Sequence, residues 1–229
     1  MLLACKQENI IMVTFAELEA KNKLYMTSLE KRLENNPEDI QALLHKGIML
    51  FASTYLEHDA GLAILLSIIA KNPSYVDAYL WLGEFYHFVT GDYPEATKYL
   101  KIALGIDPMR ADCHALLAGA LQEYPDIDPR EVANHYRKSF ELEPTFLNPR
   151  FYLAQYFFEL ERFSDARHEF EEMLKYLPNR EWPTNNPVEE YYEDLITGRS
   201  RTNVKQLALD FIQKIDVAEA AVKIDSKDS

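Results

Sequence analysis

The chain has 229 residues, 24 Lys and Arg against 37 Asp and Glu, and 48% hydrophobic residues, proportions that suit a folded chain and exclude disorder over most of its length. A formal net charge of −13 speaks against a broad nucleic-acid or anionic-membrane face, because the summed field repels phosphate. Seven glycines, two distant cysteines (Cys5 and Cys113) and no long apolar run argue against a phosphate-cradling loop, a disulfide framework, a Cys-based zinc site and a transmembrane segment.

Residues 1–13 read as a leader or a disordered segment. Within them Leu2-Leu3-Ala4-Cys5 has the form of a lipoprotein cleavage box with Cys5 as the acylated residue, yet neither a basic stretch nor an apolar run of signal length precedes it. Either the start lies inside a longer reading frame, which tethers the protein to a membrane through Cys5, or four common residues coincide and the protein is cytoplasmic. Thr14 to Asn35 then carries Phe15, Leu18, Leu24, Leu29 and Leu33 near helical spacing, which predicts one amphipathic helix.

From there Xaa-Pro pairs punctuate the chain at Pro37, Pro73, Pro108, Pro144 and Pro178, at intervals of 36, 35, 36 and 34 residues. Such a period is too long for one helix and too short for a domain. It is the length of a helical hairpin whose apolar faces are buried only by stacking on neighbours. Asn36-Pro37-Glu38-Asp39, Asp128-Pro129-Arg130-Glu131, Asn148-Pro149 and Asn186-Pro187-Val188-Glu189 each set a capping side chain before a proline at the first helical position. The first unit is read from Gly47, Leu50, Leu65, Ile68 and Ile69. In the second, Ala78, Tyr79, Leu82, Gly83 and Tyr86 form one face, Thr90-Gly91-Asp92-Tyr93 a turn with one extra residue, and Ala96, Tyr99, Leu100, Ala103 and Leu104 the facing helix. The third carries His114, Leu117, Ala118, Leu121, Val132, Tyr136, Ser139 and Phe140. The fourth carries Leu153, Ala154, Phe157, Phe163, Ala166, Phe170 and Leu174 with no insertion. Hairpin turns are expected near residues 55–58, 89–92, 125–129 and 161–163. After Pro178 a loop leads into two expected helices, Pro187 to Ile196 and Thr202 to about Val222.

The small residues at Gly83, Ala96 and Ala103, the aromatics around them and the closing prolines resemble the tetratricopeptide repeat family over about residues 38–178. The resemblance implies an all-α, right-handed α-solenoid of helical hairpins. Its array with a leading helix spans 14–178, and C-terminal capping helices and a tail span 179–229. It further implies a concave groove lined by the first helix of each unit, which falls on Leu44, Ile48 and Phe51; Leu80, Glu84 and His87; Ala115, Gly119 and Gln122; and Phe151, Gln155 and Phe158. Family members that clamp a carboxylate use Lys and Asn at such positions, where this sequence has Leu44, Ile48, Leu80 and Glu84.

The expected function is a non-enzymatic protein-protein interaction module, an adaptor or chaperone-like holder of a protein or peptide segment, with neither cofactor nor metal. The alternatives are a homo-oligomer and a structural subunit of a larger, possibly membrane-tethered assembly. No Ser/His/Asp or Cys/His order stands out as a nucleophilic site. His168 lacks the second histidine of a helical zinc site and reads as a surface residue, and Cys113 as a small hydrophobe. An open groove leaves Phe51, Leu80, Phe151 and Phe158 exposed. The competing account has them covered by the protein's own terminal helix carrying Leu207 and Phe211, or by a second copy.

Overall fold

The computed structural model describes residues 15–52, 57–144, 146–176 and 203–225. Helix α1 (Phe15–Asn35) precedes four hairpins: α2 (Ile40–Ala52) with α3 (His58–Lys71), α4 (Val76–Glu84) with α5 (Tyr93–Ile106), α6 (Ala111–Leu121) with α7 (Pro129–Leu142), and α8 (Asn148–Glu159) with α9 (Phe163–Tyr176). A last helix, α10 (Asn203–Asp225), packs on α9. Each helix up to α9 packs on the one before it, and α4 also touches the first helices α2 and α6 of the neighbouring units, so the chain is an all-helical solenoid without a strand among the described residues. The expected helix Pro187 to Ile196 and the segment containing Cys5 lie outside the described residues.

One local device repeats at the joints between units. The last helical N–H bonds of α1, α3 and α5 are made by Asn36, Asn72 and Asp107, which donate to Arg32, Ile68 and Ala103 carbonyls at 2.8, 2.8 and 2.9 Å. The same three side chains then accept from the N–H two residues on, in Glu38, Ser74 and Met109, at 3.3, 3.3 and 3.0 Å. An Asx turn is thus wrapped around each proline, which cannot continue the helix it follows. Asn36 therefore ends α1 and does not cap α2, contrary to the sequence expectation. The cap is Asp39, whose Oδ1 accepts from the Ala42 N–H at 3.0 Å, and α2 begins three residues late. Asn148 likewise is the first residue of α8, with Leu147 before it. Asp128 does cap α7, accepting from the Arg130 N–H at 2.9 Å.

Inside the hairpins small residues set the helix separation. In the first unit a Cβ on Gly61 would lie 2.6 Å from the Gly47 carbonyl oxygen, and in the second a Cβ on Gly83 would lie 2.5 Å from Leu100 Cγ. Ala96, Ala154 and Ala166 are fully buried at the corresponding crossings. The extra residue of the second unit is absorbed as a π-helical turn, Phe85–Thr90, closed by Gly91 at φ 69 with the Asp92 N–H bonded back to the Tyr86 carbonyl at 2.8 Å. The uninterrupted fourth unit turns instead through Glu161, a non-glycine residue at φ 57.

Charged pairs tie successive units together. Arg110, ahead of α6, donates to Asp77 on α4 and Asp112 on α6, both at 2.6 Å. Arg150 of α8 meets Glu169 of α9 at 2.9 Å in a nearly buried pair, with its guanidinium 4.1 Å from the Phe140 ring of the preceding unit. Arg167 of α9 holds Asp216 and Glu219 of α10 at 2.7 and 3.3 Å.

Candidate functional site

A first helix has four sides, and the contacts of α4 assign them. Tyr79, Leu82, Gly83 and Tyr86 face α5, with Tyr86 stacked on Tyr99 at 5.5 Å and Gly83 against Leu100. One flank looks toward neighbouring first helices: His87 lies where a Cβ on Gly119 of α6 would meet its Cε1 at 2.9 Å. The side opposite α5, at the spacing i, i+4, i+7, i+11, holds Asp77, Trp81, Glu84 and Phe88. The same stripe is Asp112, Leu116, Gly119 and Glu123 on α6 and just beyond it, and Asn148, Tyr152, Gln155 and Glu159 on α8.

The twelve expected groove positions divide between flank and stripe. Leu44, Ile48, Leu80, Glu84 and Gly119 are buried, while His87, Ala115, Gln122, Gln155 and Phe158 are half-buried. Phe51, Leu80 and Phe151 are only 2, 6 and 5% exposed, which corrects the expectation that they stand open to a partner. The reason is packing between units: Phe51 meets Phe85 and Trp81 of the next unit at 5.3 and 6.3 Å. At the other end Phe211 of α10 stacks on Phe170 at 5.1 Å and meets Phe158 and Phe151 edge-on at 5.4 and 6.0 Å. The helix with Leu207 and Phe211 thus closes over the last unit as the competing account required, and buried aromatic edges hold it there. At the start of the array Tyr25 of α1 bonds His45 of α2 through its hydroxyl at 2.5 Å.

Between these closed ends the stripe is open only in part, since Trp81, Glu84 and Gly119 on it are buried. Phe88 is 55% exposed and Tyr152 42%, Leu116 is half-buried, and Glu123 and Glu159 face solvent. Spacing from the aromatic position finds the flank; the stripe lies one residue further round, and the carboxylates at its ends, Asp77, Asp112, Glu123 and Glu159, are the signal in the sequence that marks it as the solvent side. Beneath Tyr152 the buried hydroxyl of Tyr136, whose ring is 6.5 Å away, donates to Gln122 Oε1 at 3.0 Å. Burial raises the Tyr136 pKa, and the nearby Tyr152, Glu123 and Glu159 add to the rise.

Two features lie off the stripe. His114 of α6 and His135 of α7 bring their Nδ1 atoms to 2.9 Å beside an open cleft of about 600 Å³ also lined by Glu131 and Lys138. His114 Nε2 faces the Pro108 carbonyl at 3.2 Å, which only accepts, so Nε2 carries the proton and His135 Nδ1–H donates to His114 Nδ1. Among the described residues no group of three or more His, Cys, Asp or Glu is placed to hold a metal ion. Cys113 is fully buried, and burial raises its pKa, so its thiol is not a thiolate nucleophile. His168 is exposed on α9.

His87 makes a pH prediction. Its Nδ1 is buried without a hydrogen-bond partner, and burial pushes its pKa down to about 4. The unfolded chain takes up that proton near the ordinary histidine value of about 6.5. Between the two values the unfolded state binds more protons, so stability is full above about pH 6.5 and falls as the pH drops toward 4. Thermal melts from about pH 7 to about pH 5 should show the midpoint dropping, with a shallower drop in His87→Asn; equal slopes would refute the assignment.

A family model described as tetratricopeptide repeat matches residues 57–111, from α3 to the start of α6. Solved structures share the fold. The TPR protein TTC0263 of Thermus thermophilus is 19% identical, with 80% of this chain and 92% of that one covered at a TM-score of 0.57. MamA (41-end) of Desulfovibrio magneticus RS-1 is 17% identical, with 70% and 97% covered at 0.55. Yeast Tom70 is 16% identical, with 90% of this chain but 40% of Tom70 covered at 0.65. No curated protein matches the chain by sequence. Among the described residues no helix is long and apolar enough to cross a membrane.

Proposed function

Because the chain is a tetratricopeptide-repeat protein, we propose that it is a non-enzymatic interaction module, an adaptor or chaperone-like holder, that seats a segment of a partner protein along the open stripe from Phe88 to Glu159. The observation that carries this reading is the exposure of Phe88 and Tyr152, 55% and 42%, on the side of the first helices opposite their hairpin mates. Aromatic side chains left open on a folded chain supply large contact area at low entropic cost, and such residues dominate binding energy at interfaces. The twelve positions first read as the groove contribute differently. Half-buried Gln122 and Gln155 lie on or beside it, Phe158 packs under Phe211 of α10, and the buried members hold the helices in register.

The test is the double variant Phe88→Ala/Tyr152→Ala. Because Phe88 is 55% and Tyr152 42% exposed, unfolding stability should fall by no more than about 1 kcal/mol per site. Affinity for peptides selected on the parent from a random displayed library should fall by about 2 kcal/mol or more, as for anchors of an interface. Undiminished binding by the folded variant would remove the stripe as the binding surface.

A further inference from the structure

The stripe has a chemical bias as well as an apolar character, and the bias selects the partner. On one edge Asp77 and Asp112 are already answered by Arg110, which bridges them at 2.6 Å on each side. On the opposite edge Glu123 and Glu159 sit one unit apart, exposed, and no described cation pairs with either. The same stripe carries the exposed Phe88 and Tyr152 and the half-buried Leu116, along with buried Trp81, Glu84 and Gly119. No Lys or Arg occupies any of the stripe positions on α4, α6 or α8. The surface is therefore a row of apolar footholds with an uncompensated acidic margin, in a chain whose net charge of −13 adds a long-range field of the same sign.

We propose that the occupant of this stripe is a basic peptide segment, carrying Lys or Arg side chains that reach Glu123 and Glu159 and apolar side chains that lie on Phe88, Leu116 and Tyr152. The inference rests on the stripe being the binding surface and adds the chemistry of what it binds. An acidic segment would meet like charge at that margin, and a purely apolar one would desolvate two carboxylates without pairing them. Tyr136 ties the two units together: its hydroxyl donates to Gln122, the neighbour of Glu123, at 3.0 Å, and its ring lies 6.5 Å from Tyr152 on the helix that carries Glu159.

The experiment is a selection of random displayed peptides on the immobilised full chain, followed by affinity measurements on the most enriched synthetic peptides. The expected pool is enriched in Lys and Arg alongside Leu, Phe or Trp. Binding weakens steeply as sodium chloride is raised, since exposed pairs are screened. The variant Glu123→Lys/Glu159→Lys should bind these peptides more weakly by on the order of tenfold. Glu141→Lys/Glu171→Lys makes the same change in net charge on the exposed faces of α7 and α9 and should leave binding within about twofold. An enriched pool of neutral or acidic character that still depends on Phe88 and Tyr152 would overturn the basic-partner inference and leave the binding surface standing. Equal losses in the two charge variants would overturn it too, by reducing the effect to bulk charge. Peptides that bind regardless of Phe88 and Tyr152, or no enrichment at all, would overturn the binding surface itself.

Discussion

Replacing Phe151 and Phe158 together by Ser is expected to destabilise the protein by at least about 3–5 kcal/mol, the usual range for truncating one buried phenylalanine. Phe151 is 5% exposed, and its ring meets Phe170 of its own hairpin at 5.6 Å and Phe211 of α10 at 6.0 Å. Phe158 adds the Phe163 ring at 5.6 Å and Phe211 at 5.4 Å. Removing both leaves Phe211 facing a void on one side, and a serine hydroxyl there has no partner awaiting it. The ion pairs from Arg167 to Asp216 and Glu219 lie at the surface, with Asp216 well exposed and Glu219 half-buried, so they do not make up the loss. Urea unfolding followed by circular dichroism would check this. A double variant with the parent's midpoint would mean that α10 does not cover these rings and that the groove is open to its last unit.

The next largest effect comes from a single methyl group. Gly61→Ala should cost about 1–3 kcal/mol, because the new Cβ would sit 2.6 Å from the Gly47 carbonyl oxygen and 3.2 Å from the Phe51 backbone N, atoms that cannot swing away as a side-chain tip could. The helix-propensity gain of about 1 kcal/mol from glycine to alanine is overridden by that clash. Gly105→Ala provides the contrast. It lies near the end of α5 with nothing within 4 Å of its Cβ, so the same substitution should stabilise, by at most about 1 kcal/mol. Opposite signs in thermal melts are the expected result. A neutral Gly61→Ala would mean that the first hairpin is spaced more widely than described.

Much of the fold was legible because its causes are local. The proline period, the glycines and alanines at the crossings and the Asp128 cap are read directly from neighbours in the chain, and helix α1 begins at Phe15, one residue from the expected start. The extra residue of the second unit was visible as an extra residue, but its form was not. The π turn begins at Phe85, whose ring meets Phe51, a contact 34 positions away that no local pattern announces. Asn36 deceived for a related reason: Asn-Pro serves equally to end one helix or to start the next, and Asp39 three residues later made the better cap. The stripe proposed as the binding surface shares Glu84, Gly119 and Gln155 with the twelve positions expected from the sequence and otherwise lies one residue of helical phase away. Periodicity distinguishes the side facing the second helix, yet the remaining flank and stripe are told apart only by what the next unit places against them. Phe51, Leu80 and Phe151 were assigned to the groove when neighbouring units, and α10, had claimed them.

The central claim, that a partner segment lies along the side of the first helices opposite their hairpin mates, is tested most directly by photo-crosslinking. A benzoylphenylalanine would be built into the most enriched selected peptide at its apolar position, irradiated with the full chain, and the attachment site located by mass spectrometry. The account predicts attachment at or next to Phe88, Leu116 or Tyr152, lost when the unlabelled peptide competes. Attachment to the outward faces of α5, α7 or α9, equally sensitive to competition, would contradict it.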